Sequence, residues 1–93
     1  MQHETAVRVT VAGRVQGVGY RAWARDEAAL LGLAGWVRND PAGTVTALLA
    51  GPRDVVDRML EAMLQGPRHA VVAGLATEAA DPGEAPARFE VRR

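Results

Sequence analysis

The chain has 93 residues, 48% of them hydrophobic, and its 11 basic and 11 acidic residues cancel to a formal net charge of zero. This length predicts one compact domain over residues 1–93, and the balanced charge weakens the case for a nucleic-acid partner, which usually requires a basic surplus. The absence of cysteine excludes disulfides and thiolate metal sites and suits a reducing cytoplasm. No apolar run approaches the roughly 20 residues of a membrane-spanning helix, so we expect a cytoplasmic protein that binds neither nucleic acid nor membrane.

The first part of the chain predicts a strand, a glycine-rich loop and a helix. Residues 5–12 alternate apolar and polar side chains, which is the period of a strand with one covered face. Three glycines then fall within residues 13–21, GRVQGVGYR, and an alanine- and leucine-rich helix is predicted over residues 21–32, where Gly32 ends it. The helix residues expected to face inward are Trp23, Ala24, Ala28 and Leu31.

The middle of the chain predicts a hairpin followed by a second helix. Residues 34–39 read as a strand that carries Trp36 into the core, and the turn formers of residues 39–43 link it to a strand over residues 44–50. A helix is predicted over residues 53–65, between Gly-Pro pairs that mark its two ends. Its apolar stripe consists of Val56, Met59, Leu60, Met63 and Leu64.

The last part of the chain predicts two strands, over residues 70–78 and 87–93. In the final strand Phe89 and Val91 are expected to point inward, and Arg92 and Arg93 to form a solvated tail. The element order is βαββαβ with one extra strand at the end. It predicts an α+β fold of the ferredoxin-like α/β sandwich type, a mixed five-stranded sheet with two helices on one face.

This topology brings two distant polar residues to one place. The two strands of a right-handed βαβ unit run parallel, so both finish at the same edge of the sheet. The glycine-rich loop and Arg21 follow the first strand, and Asn39 follows the second. Ligands of open α/β sheets bind at such strand ends, so we expect a binding site there.

The glycine-rich loop and the helix that follows it favour an anion as the ligand. A turn of this kind directs several backbone N–H groups into one concavity, and the start of a helix adds unpaired N–H groups. Arg21 in the first turn opposes the helix dipole unless an anion binds there, and a guanidinium can bind two phosphate oxygens. The loop is neither a P-loop nor a dinucleotide fingerprint. Taken singly, a glycine-rich loop, an arginine such as Arg21 and a turn asparagine such as Asn39 are each more typical of ordinary structure than of a binding site.

Two linked motifs make the pattern specific. The first motif consists of Gly13, Val15, Gln16, Gly17, Val18, Tyr20 and Arg21. The second consists of Gly35, Trp36, Val37, Asn39, Gly43, Val45 and Gly51. Together they resemble the signatures of the acylphosphatase family, small hydrolases of carboxyl-phosphate anhydrides. The resemblance continues through the second helix to the terminal FEVRR.

The resemblance implies an active site with two main side chains. Arg21 would bind the phosphate and Asn39 would orient the attacking water, with no metal and no cofactor. The implied partners are a small acyl phosphate as substrate and inorganic phosphate as product. We expect the protein to be a monomer. Tyr20 stands where phenylalanine is commoner in the family, which would add a hydroxyl near the loop. The backbone amides of the loop would complete the phosphate cradle, at Val15, Gln16, Gly17, Val18, Gly19 and Tyr20.

Two other functions fit a ferredoxin-like fold. The first is an RNA-binding module, which needs aromatic and basic residues on the open face of the sheet, and this chain has one tyrosine and one phenylalanine. The second is a non-catalytic phosphate-binding module, which the presence of both Arg21 and Asn39 disfavours.

Overall fold

The computed structural model describes residues 5–93, and they form the predicted elements in the predicted order. None of its helices is long and apolar enough to cross a bilayer within the described part of the chain. The elements are β1 (Thr5–Arg14), α1 (Tyr20–Leu30), β2 (Ala34–Asn39), β3 (Val45–Gly51), α2 (Arg53–Gln65), β4 (Val71–Ala79), a short 3-10 helix (Pro82–Glu84) and β5 (Phe89–Arg92).

The strands form one mixed sheet in the order β4-β1-β3-β2-β5. β3 pairs antiparallel with both β1 and β2, so β1 and β2 run parallel to each other, as a βαβ unit requires. β5 pairs parallel with β2. Three strands therefore end at one edge of the sheet, at Arg14, Asn39 and Arg92. This sheet with its two helices confirms the predicted ferredoxin-like α+β fold.

The main core lies between the sheet and both helices. Alternate residues of β1, Val9 and Val11, are fully buried there, which confirms the strand period read from the sequence. The predicted inward faces of the helices are right only in part, because Trp23 and Leu31 are only half-buried and Leu64 is 51% exposed. The buried helix residues are Tyr20, Ala24 and Ala28 of α1 and Val56, Met59 and Met63 of α2.

A smaller apolar cluster covers the opposite face of the sheet. Trp36 lies there, 5% exposed, and the segment after β4 packs over its cluster. The guanidinium groups of Arg38 and Arg92 lie 4.9 and 5.2 Å from the Trp36 ring centroid, at distances typical of cation–π contacts. Trp36 is therefore buried as predicted but away from the helices. Arg92 is exposed as predicted, but it lies in β5 with its guanidinium against Trp36, so it does not belong to a free tail.

The loop between β1 and α1 is shorter than the glycine-rich stretch of the sequence, because both ends of that stretch belong to regular elements. β1 continues to Arg14, with a register shift after Ala12 that lets Gly13 pair with Val72 of β4. α1 begins at Tyr20. The loop between β1 and α1 therefore spans residues 15–19.

A buried hydrogen bond joins the start of α1 to the end of α2. The hydroxyl of Tyr20 donates to the main-chain oxygen of Met63 at 2.7 Å. That oxygen is one of the carbonyls that the last turn of a helix leaves without an intrahelical partner. Burial raises the pKa of Tyr20 well above its usual value, which keeps the hydroxyl protonated as a donor. The hydroxyl of Tyr20 therefore makes its hydrogen bond in the core, to α2, and not in the glycine-rich loop.

We expect Tyr20→Phe to lower the free energy of unfolding by about 1–3 kcal/mol, because the Met63 carbonyl would lose its donor. Urea denaturation followed by circular dichroism would measure this as a lower midpoint with an unchanged m-value. A midpoint equal to that of the wild-type protein would contradict the role of the hydroxyl.

Candidate active site

A small pocket opens where the three strands end. Its volume is about 240 Å³, which is below the range of drug-sized ligand sites and suits a small molecule. The pocket brings together residues from the β1–α1 loop, the first turns of α1, the end of β2 and β5. Its lining consists of Val15, Gly17, Gly19, Tyr20, Arg21, Ala22, Arg25, Asn39 and Val91.

The loop reaches the pocket with its glycines and is held to the core by its valines. Val15 is 1% exposed and Val18 packs against the main core. Gly17 and Gly19 have φ values of 73° and 79°, in the left-handed region that other residues rarely adopt. A Cβ at either glycine would meet nothing within 4 Å. The glycines are therefore required by the turn of the backbone and not by lack of space.

The first turn of α1 presents positive potential to the pocket. Gly19 is its N-cap, so no side chain caps the helix, and the first turn contains no acidic residue. Arg21 adds a guanidinium, and its Nη1 donates to the main-chain oxygen of Arg92 at 3.0 Å. Its other N–H donors have no acceptor among residues 5–93. β5 therefore positions Arg21 and leaves the rest of its fork available for an anion.

Asn39 supplies a polar oxygen with no protein partner. Its Oδ1 is buried, and no donor in the described part of the chain reaches it. A buried, unpaired acceptor is costly, and native proteins usually keep one only where it has a use. Because Asn39 lines the same pocket as Arg21, a water or ligand hydroxyl bound there could donate to this oxygen.

Gln16 ties the loop to the turn between β2 and β3. Its Nε2 donates to the main-chain oxygens of Asp40 and Thr44, at 2.8 and 2.9 Å. The loop and the residue after Asn39 are therefore held in one unit. These contacts give the side chain of Gln16 a role in shaping the loop.

The carboxylate of Asp40 organises the same turn. Its Oδ2 accepts hydrogen bonds from the hydroxyls of Thr44 and Thr46, at 2.8 and 2.6 Å, and its Oδ1 lies 3.3 Å from Nε of Arg38. Partial burial alone would raise the pKa of Asp40, but the donors from Thr46, Thr44 and Arg38 outweigh burial and lower it. Asp40 therefore stays ionised and fixes the backbone next to Asn39.

The structure places most of the residues singled out in the sequence around this pocket. Arg21 and Asn39 line it together, as the topology predicts, and so do four of the six loop residues. Gln16 and Val18 do not line it, because one side chain points to the turn and the other to the core. The residues that sequence reasoning missed are Ala22, Arg25 and Val91, together with the main-chain oxygen of Arg92.

We expect Asp40→Ala to lower the free energy of unfolding at pH 7 by about 1–3 kcal/mol, because the nearly buried Thr46 hydroxyl loses its acceptor. The folded-state pKa of Asp40 lies below the ordinary value of 3.8. Its stabilisation is therefore complete above that value and is lost as the pH falls through the folded-state pKa.

The difference between wild type and Asp40→Ala should thus be constant near neutral pH and shrink below about pH 4. Chemical denaturation at several pH values measures it. Asp26→Ala is the matched control, because that carboxylate is 69% exposed and its loss should change stability by about 0.5 kcal/mol or less. An equal effect of the two substitutions, or a difference that does not depend on pH, would contradict the role of Asp40.

Comparison with known proteins identifies the family. Residues 7–91 match the acylphosphatase family model. The acylphosphatase of Sinorhizobium medicae is 53% identical over 88 residues, which cover 95% of this chain and 94% of that protein. The structure of an acylphosphatase from Coxiella burnetii superposes with a TM-score of 0.90 at 38% identity, over 97% of this chain and 94% of that one. That of acylphosphatase from Bacillus subtilis has a TM-score of 0.90 at 34% identity, over 95% and 98% of the two chains. The chain therefore belongs to the acylphosphatase family of hydrolases.

Proposed function

We propose that the protein hydrolyses the carboxyl–phosphate bond of acyl phosphates and releases a carboxylate and inorganic phosphate. The observation that carries this proposal is the meeting of Arg21, the glycine loop and the unpaired oxygen of Asn39 in one small pocket. Arg21 and the glycine loop are suited to an anion, and the oxygen of Asn39 is suited to a water. Membership of the acylphosphatase family supports the same reaction.

In this proposal the phosphoryl group lies between Arg21 and the amides of residues 15–20. The guanidinium binds phosphate oxygens in pairs, and its anchor at the Arg92 carbonyl reduces the entropy lost on binding. The loop amides and the uncapped start of α1 stabilise the remaining negative charge. These groups are in place before the substrate arrives, so no reorganisation is needed as charge develops in the transition state.

Asn39 orients the attacking water in this mechanism. The water donates to Asn39 Oδ1 and attacks phosphorus opposite the acyl oxygen, forming one P–O bond as the other breaks. The acyl carboxylate leaves with the electron pair of the broken bond, and the proton of the water passes to a phosphate oxygen. A carboxylate with a pKa of about 4 leaves without a general acid. Positioning and charge stabilisation are then sufficient, so we propose that the reaction uses no metal and no cofactor.

The proposal is tested by the hydrolysis of benzoyl phosphate in the presence of EDTA, followed by ultraviolet absorbance. An RNA-binding module or a phosphate-binding module without catalytic activity would show no turnover. The RNA-binding alternative also lacks an open aromatic surface on the sheet, since Trp36 is covered by two arginines.

Asn39→Ala is expected to lower kcat for benzoyl phosphate by about 10²–10³-fold, by analogy with the loss of an oriented hydrogen-bonding group. KM should change much less, because the phosphate contacts remain. Steady-state kinetics measures both parameters. Turnover close to that of the wild-type enzyme would show that Asn39 does not orient the water.

Arg21→Ala is expected to reduce kcat/KM by an amount equivalent to about 3–5 kcal/mol, because a charged contact to the substrate is lost. We expect kcat to fall and KM to rise. Arg58→Ala is the matched control, because it removes an exposed arginine of α2 that does not line this pocket. If the two variants had similar kinetics, Arg21 would not be a phosphate ligand.

We also propose that the protein acts as a monomeric single domain in the cytoplasm. The relatives are of nearly the same length, since 94% of the Sinorhizobium medicae protein is covered. The lack of cysteine fits a reducing compartment.

A further inference from the structure

The pocket contains a second cation that the proposed reaction does not use. Arg25 lies four residues after Arg21 on α1, so the two side chains share one face of the helix. Both line the pocket, and no acidic residue does. In a chain whose formal net charge is zero, this pocket therefore concentrates positive charge.

Arg25 is only weakly engaged by the protein. Its Nε lies 3.3 Å from Oδ1 of Asp26, and the two side chains are 48% and 69% exposed. Ion pairs as exposed as this one contribute little to stability. The Nη groups of Arg25 have no acceptor within residues 5–93, so they can bind a ligand at little cost to the fold.

The charges in the pocket suggest what that ligand is. The phosphoryl group is already matched by Arg21, the loop amides and the start of α1, so a second guanidinium exceeds what one phosphate needs. We propose that Arg25 binds a second anionic group, a carboxylate or phosphate on the acyl part of the substrate. This inference rests on the proposed acyl phosphate hydrolysis and names the substrate class that the site prefers.

The walls of the pocket fit this arrangement. Four residues of helix rise about 6 Å, so the backbone positions of the two arginines stand about one helical turn apart on the same face. Ala22 and Val91 line the pocket as apolar side chains, and Val91 is 37% exposed. An acyl phosphate would thus place its phosphoryl group on Arg21, its hydrocarbon part against Ala22 and Val91, and its second anion on Arg25.

Aromatic acyl phosphates provide matched substrates for the test. 3-Carboxybenzoyl phosphate and 3-phosphonooxybenzoyl phosphate carry a second anion, and 3-methylbenzoyl phosphate carries a neutral group at the same position. The readout is the ratio of kcat/KM for each substrate with a second anion to kcat/KM for the 3-methyl substrate. Comparing this ratio between variants cancels the intrinsic reactivity of each substrate.

We expect Arg25→Gln to lower this ratio about fivefold, mainly through KM, as for a half-exposed charged contact. Arg25→Glu should lower it further, and Arg25→Lys should restore part of it. Added salt should reduce the preference of the wild-type enzyme. Arg58→Gln is the matched control, because it makes the same charge change on α2 and should leave the ratio unchanged. The arm with the larger loss identifies carboxylate or phosphate as the preferred anion.

Failure of this inference is distinct from failure of the proposed function. If Arg25→Gln and Arg25→Glu left both ratios unchanged while the three substrates were hydrolysed, the second anion site would be refuted and the proposed function would stand. An equal loss in Arg58→Gln would also refute it, because the effect would then reflect overall charge. If the wild-type protein hydrolysed none of the three substrates, both proposals would fall together.

Discussion

β3 lies between β1 and β2 and pairs antiparallel with both, and the location of the proposed active site follows from this pairing. Both neighbours run opposite to β3, so they run parallel to each other and end at the same edge of the sheet. β5 then adds parallel to β2 and brings a third strand end to that edge. The glycine loop, Asn39 and the carbonyl that anchors Arg21 are thus gathered by backbone hydrogen bonds, before any contact between their side chains.

Two different kinds of contact hold the pocket in shape. On the inner side, Val15 and Val18 fix the loop by burial against the helices and sheet. On the outer side, Gln16 fixes the loop by hydrogen bonds to the turn between β2 and β3, and the carboxylate of Asp40 holds that turn in place. The valines hold the loop against the main core, and the hydrogen bonds of Gln16 hold it beside the turn that follows Asn39. A pocket held from both sides keeps a fixed shape, and the proposed electrostatic stabilisation of a phosphoryl group depends on such preorganisation.

Much of this arrangement could be predicted from the sequence, because hydrophobic periods and turn residues specify the elements and the βαβ rule specifies their order in space. Arg21 and Asn39 could be placed together for the same reason. The sequence did not indicate that Arg92 supports Arg21, because that contact is made by a main-chain oxygen and any residue type could provide it. The prediction that the Tyr20 hydroxyl lies near the loop also missed its acceptor, because the main-chain oxygen of Met63 is 43 residues further along the chain. Arg25 was missed because an exposed helical arginine has no distinctive pattern.

The hydrogen bonds of Gln16 have a consequence for the evolution of this family member. Both of its acceptors are backbone oxygens, so the contact is independent of the side chains that the turn carries. Residues 41 and 42 at the exposed tip of the turn can change to other amino acids without uncoupling the loop, provided that Asp40, Gly43 and the length of the turn are retained. Insertions or deletions between β2 and β3 would be far more damaging than substitutions at that tip. The turn is thus permissive in composition at its tip and strict in spacing.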